Sequence, residues 1–147
     1  MLRPPLYIVA RYPRTCCTAA MSHLPASPFP NAFVLDVVCL CAAWCGTCGE
    51  YEGLFKALQA ALPGHRYRWI DIEDESDLVG DINVETFPTL LVARQGQVLF
   101  AGPVLPRLVD AQRLIEALLA NSASQAALSM PADQLQAYEA LARALGA

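Results

Sequence analysis

Cysteines carry the first chemical signal in this sequence. Four of its six lie close together, at Cys39, Cys41, Cys45 and Cys48, and the other two, Cys16 and Cys17, are adjacent. A structural disulfide framework spreads its cysteines, because closing a longer loop removes more chain entropy. Local crowding points instead to redox chemistry or metal binding. Cys45 and Cys48 form a C-x-x-C dithiol between an apolar run and a segment with helical spacing. A helix start there would stabilise a thiolate at Cys45 through its free N–H groups and dipole, raising the attacking fraction at neutral pH. Two intervening residues place the second sulfur one turn in, close enough to form a disulfide. Cys45 is then the exposed nucleophile, and the shielded Cys48 attacks the mixed disulfide and releases the product.

The competing chemistry is zinc held by Cys39, Cys41, Cys45 and Cys48. Zinc wants four ligands converging tetrahedrally, usually from two knuckles. A C-x-C-x3-C-x2-C run ties Cys39 and Cys41 to one pleat, which disfavours that geometry, so no metal and no organic cofactor is expected. Cys16 and Cys17 read as unstructured thiols. His23 and His65, each isolated near prolines, read as surface residues. Asp71, Glu73, Asp74, Glu75, Asp77 and Asp81 lack the pattern of a calcium loop and read as a solvated acidic face.

These residues must be positioned by a single domain, since 147 residues suffice for one core. Hydrophobic residues make up 55% and charged residues 16%, which excludes a wholly disordered chain. No apolar stretch reaches the roughly 18 residues of a membrane span. A net charge of −4, with Lys56 the sole lysine, argues against a nucleic-acid partner. Residues 1–32 contain arginines and six prolines but no acid, and read as a flexible arm, with Met21 as a possible start. Their apolar core, Leu6–Ala10, is too short for a secretory leader.

From residue 34 the pattern becomes regular. Val34–Cys41 reads as a buried strand, and Gly46–Leu62 as a helix with Leu54, Leu58 and Leu62 on one stripe. Tyr67–Ile72 is a second strand, followed by an acidic loop with a short helix. Thr89–Ala93 and Gln97–Ala101 form a hairpin around Gln95-Gly96. Arg107–Ala120 is a helix, Asn121–Met130 a linker, and Pro131 opens a last helix with Leu135, Tyr138, Leu141 and Leu145 on its apolar stripe.

With Trp44-Cys45-Gly46-Thr47-Cys48 between strand and helix, and Phe87-Pro88 before a later strand, residues 33–121 resemble the thioredoxin family. The resemblance implies an α/β three-layer sandwich with a central mixed sheet, to which residues 122–147 add a linker and a C-terminal helix. It implies a cis-proline at Pro88 facing the dithiol, with Phe87 offering backbone groups to a substrate strand, and Trp44, Gly46 and Thr47 supporting the site. It further implies a protein-disulfide reductase with a Cys45–Cys48 redox centre and no cofactor. Such a protein would be a cytoplasmic monomer, fed by a reductase, serving redox homeostasis. Where the family commonly has proline this chain has Thr47. Where it has a buried acid and a companion lysine, the chain has Cys39 and Trp69, so a water, Glu50 or Asp71 would have to take the proton of Cys48. Cys39 reads as a small buried residue, with an auxiliary redox thiol able to trap Cys48 as the alternative. Without the usual acid, a binding or adaptor module with little turnover is the second functional reading.

Overall fold

All six residues of strand β1 (Asp36–Cys41) are buried, which requires cover on both faces and hence a central position. The computed structural model describes residues 34–120 and 129–146. The expected N-terminal arm, Cys16, Cys17, His23 and most of the expected linker lie outside the described residues. Beside β1 run β2 (Arg66–Asp71), parallel to it, and β3 (Thr89–Arg94), antiparallel, with β4 (Gln97–Pro103) antiparallel to β3 at the edge. The strand order is β2-β1-β3-β4. Helix α1 (Gly46–Ala61) makes the β1–β2 crossover, and α2 (Ser76–Val79), α3 (Leu108–Ala120) and α4 (Ala132–Gly146) complete the described elements.

Side chains alternate across the pleat, so each strand serves two cores. Leu35, Val37, Cys39 and Cys41 join Leu90, Val92 and Leu99 against Cys48, Tyr51, Phe55 and Leu58 of α1 and Ala111 and Ile115 of α3. Val38 and Leu40 join Ile70, Leu91 and Val98 against Val79 of α2 and Tyr138 and Leu141 of α4. The result is the expected three-layer sandwich with an added C-terminal helix.

Two details depart from the sequence reading. The buried stripe of α1 is Cys48, Tyr51, Phe55 and Leu58, with Leu54 and Leu62 only partly buried against the core, because the larger aromatic faces claim the inward direction. Strand β4 runs two residues past Ala101, since Gly102 and Pro103 still pair with Leu90 and Thr89. At the hairpin, Gln95 and Gly96 both have positive φ, 51° and 79°, which suits a two-residue turn matched to the strand twist. A Cβ on Gly96 would lie 2.8 Å from Cγ of Arg143 on α4.

Candidate redox site

The site forms where β1 ends and α1 begins. After Cys41 the chain turns, with the Cys45 N–H donating to the Ala42 carbonyl at 3.0 Å. Cys45 is the N-cap of α1, in extended geometry at φ −85° and ψ 113°. Its carbonyl accepts from the N–H groups of Cys48 (3.1 Å) and Gly49 (3.3 Å), which starts the helix. Cys45 is half-buried, Gly46 and Thr47 are exposed, and Cys48 is buried at the top of the inward stripe.

An aromatic pair flanks this turn. Trp44 is 66% exposed, and its ring meets that of Phe87 edge-on at 5.5 Å between centroids. The indole Nε1 donates to Oε1 of Glu73 at 2.9 Å. Phe87–Pro88 is a cis peptide bond, as the resemblance implied. The Pro88 carbonyl accepts from the Val104 N–H at 3.1 Å, and the Thr89 hydroxyl donates to the Thr86 carbonyl at 2.6 Å. Trp44 against Phe87 thus sets the dithiol turn beside the segment leading into Pro88.

The sulfur pairing differs from expectation. Cys48 is bonded to Cys41, with the Cα atoms 5.9 Å apart, while Cys45 and Cys39 are free thiols. The expected Cys45–Cys48 bond is therefore not the one formed in this structure. The reason lies in the strand. Cys41, the last residue of β1, points to the same face as Cys39 and meets the first turn of α1, where Cys48 turns inward. The auxiliary thiol placed at Cys39 sits one pleat deeper, its Sγ 3.8 Å from that of Cys41. Burial pushes the Cys39 thiol up to about 12, which keeps it neutral and a poor nucleophile. Two-residue parity in the strand was the available signal for Cys41, since it holds for Cys41 as for Cys39.

A family model for thioredoxin matches residues 31–106, more than half of the chain. The chain belongs to the thioredoxin family. It is 29% identical over 73 residues to a protein described as "Putative thioredoxin 2" of Streptomyces coelicolor, covering 50% of this chain and 53% of that protein. It is 28% identical over 67 residues to thioredoxin H2-1 of Oryza sativa, covering 46% and 49%. The chain spans about half the length of the curated relatives it matches. Among solved structures, the germline-specific thioredoxin Deadhead of Drosophila melanogaster superposes with a TM-score of 0.53 at 24% identity, covering 60% of this chain and 84% of that one. Thioredoxin from Trypanosoma brucei brucei gives 0.53 at 22% identity, covering 62% and 80%. These two likenesses bear on the fold.

Within this thioredoxin fold, the positions that the resemblance assigned to an acid and a lysine face each other across β1 and β2 as Cys39 and Trp69. Trp69 packs its ring against Phe55 at 5.8 Å, so a thiol and an indole fill a place expected to be ionic. The Tyr51 hydroxyl is buried there without a hydrogen-bond partner. Burial first, and then Cys39, raise its pKa to about 12. Glu50 is exposed. Asp71 is the register partner of Cys41, but its Oδ1 already accepts from the N–H groups of Glu73 (2.9 Å) and Asp74 (3.4 Å).

The zinc alternative loses two of its ligands to the Cys41–Cys48 bond. Among the described residues no group of three His, Cys, Asp or Glu is placed to hold a metal. His65, expected at the surface, is half-buried and accepts from the Leu35 N–H through Nδ1 at 3.3 Å. It plays a structural part at the far end of β1.

Proposed function

We propose that this chain is a thiol–disulfide oxidoreductase acting on protein disulfides. The observation that carries the reading is the placement of Cys45, half-exposed at the start of α1, one turn before the buried Cys48 and next to Trp44, whose ring packs on Phe87 of the cis Phe87–Pro88 pair. The Cys45 thiolate attacks a substrate disulfide, forming the Cys45–substrate bond and expelling one substrate sulfur as a thiolate. Cys48, as a thiolate, attacks Cys45 Sγ and releases the second substrate sulfur. The resulting Cys45–Cys48 disulfide takes two electrons from a partner reductase and returns to the dithiol. A substrate segment would lie extended against Phe87-Pro88, with Trp44 as an apolar shoulder. No cofactor enters these steps. Net reduction requires a reducing compartment, for which we propose the cytoplasm, and there the chain would act as a monomer in redox homeostasis.

Insulin reduction driven by dithiothreitol or a reductase tests this. Wild type is expected to turn over, and Cys45→Ser to fall at least 100-fold, to the uncatalysed rate. Equal rates for the two would sink the enzyme reading and favour a binding module. Cys39 and Trp69, standing where an acid and a lysine were expected, support that second reading.

A further inference from the structure

Cys48 has a second sulfur within bonding reach, on a different element from Cys45. Cys41 ends β1, where its carbonyl accepts from the Ile72 N–H at 2.9 Å, and its side chain is held between Cys39 and the first turn of α1. The Cα separation of 5.9 Å between Cys41 and Cys48 is an ordinary disulfide span. Cys45, three residues before Cys48, keeps its thiol. We propose that Cys41 is a third redox-active cysteine, which takes Cys48 from Cys45 by internal exchange and restores the Cys45 thiol while the protein stays oxidised.

The exchange balances within the chain. Starting from Cys45–Cys48, the Cys41 thiolate attacks Cys48 Sγ. The Cys41–Cys48 bond forms, the Cys45–Cys48 bond breaks, and Cys45 leaves as a thiolate that takes up the proton Cys41 gave up. One disulfide stands on each side, so no outside oxidant or reductant is needed. Cys39 does not take the role, because it lies one pleat further from the end of β1, while Cys41 faces the helix start and reaches Cys48.

The consequence concerns Cys45 and rests on the reading of Cys45 as the attacking thiol. While Cys48 is held by Cys41, a partner disulfide attacked by Cys45 forms a mixed disulfide that Cys48 cannot resolve. That complex persists until the expelled partner thiolate attacks the partner sulfur bonded to Cys45, re-forming the partner disulfide and releasing the Cys45 thiolate, or until the partner reductase supplies two electrons to the Cys41–Cys48 bond. The two oxidised forms thus separate turnover from capture of a disulfide-bearing protein partner at the same Trp44–Phe87 surface.

Differential alkylation of the oxidised full chain tests the exchange. Free thiols take a light label, the protein is reduced, the released thiols take a heavy label, and mass spectrometry reads each cysteine. In wild type, Cys48 should be heavy throughout, while Cys41 and Cys45 share the complementary heavy label, with at least a tenth of Cys45 light. Cys41→Ser, or Cys41→Ala should serine disturb the core, should lower the light label on Cys45 at least tenfold. Cys45→Ser should move the whole of the Cys48 pairing to Cys41. A wild type whose Cys41 is never heavy, or a Cys45→Ser chain whose Cys48 is unpaired or paired with Cys39, would overturn the proposal. Neither result touches insulin turnover, which judges the reductase reading separately.

Discussion

The two faces of β1 divide the labour of the molecule. On one face Leu35, Val37, Cys39 and Cys41 form a line that ends in the sulfur cluster, packed against α1 and α3. On the other, Val38 and Leu40 lie under α2 and α4 in a core that, among the described residues, holds no cysteine, and Asp36 is tied to Arg66 by a 2.8 Å hydrogen bond. Both faces are equally dry, so burial alone does not distinguish them. What differs is whether the covering helix begins at the site. Helix α1 carries Cys45 at its N-cap and Cys48 in its first turn, so its packing sets the sulfur geometry. Helix α4 touches the sheet without contributing a residue to the site.

That division predicts that damage to the first face changes chemistry as well as stability. Phe55 is the test, because its ring meets Tyr67, Trp69 and Tyr51 at 5.8, 5.8 and 6.4 Å. Phe55→Ala should lower unfolding stability in urea by about 3–5 kcal/mol. It should also speed alkylation of Cys48 in the reduced protein, since the stripe anchoring the first turn of α1 loses one of its two aromatic members. Leu141→Ala on the opposite face should cost about 2–5 kcal/mol in the same titration, yet leave Cys48 alkylation unchanged well below the unfolding midpoint. A Leu141→Ala chain with an altered Cys48 rate would break the division.

A smaller effect probes how α4 is seated. Gly96 has a φ of 79° and lies close under Arg143. Gly96→Ala should destabilise by about 1 kcal/mol, by urea midpoint, with the sulfur pairing intact. Much of this was legible beforehand. The apolar run of β1, the Gln95-Gly96 turn and the spacing of Tyr138 and Leu141 each name their element through local pattern. The cis-Pro88 became legible only through the resemblance. Cys41 was not legible as the partner of Cys48, because strand parity says only that residues 39 and 41 share a face. Which of them meets α1 depends on how far the strand runs before the chain turns, and that is a tertiary fact. The same limit hid Tyr51 and Phe55, whose inward direction follows from where β2 places Tyr67 and Trp69.

The smallest expected effect lies at the end of β1 away from the sulfurs, and its sign can be worked out. The Leu35 N–H donates to Nδ1 of His65, which requires a neutral imidazole. Burial pushes the His65 pKa below 6.5, and the charge of Arg94 adds to the shift. As pH falls through about 6.5 the unfolded chain takes up a proton that the folded chain resists. The unfolded state then holds more protons, so stability falls with falling pH across that window. The loss stops growing once the folded imidazole is also protonated. His65→Asn keeps an acceptor on a short side chain and removes the titration. Its urea midpoint should therefore vary less than that of wild type between about pH 7 and pH 5. An identical slope in the two proteins would remove His65 as the cause. Because the imidazole sits at the opposite end of β1 from Cys41, the division between sites predicts one further result. The heavy and light labelling of Cys41 and Cys45 in the oxidised protein should be the same in His65→Asn as in wild type, even where their stabilities part.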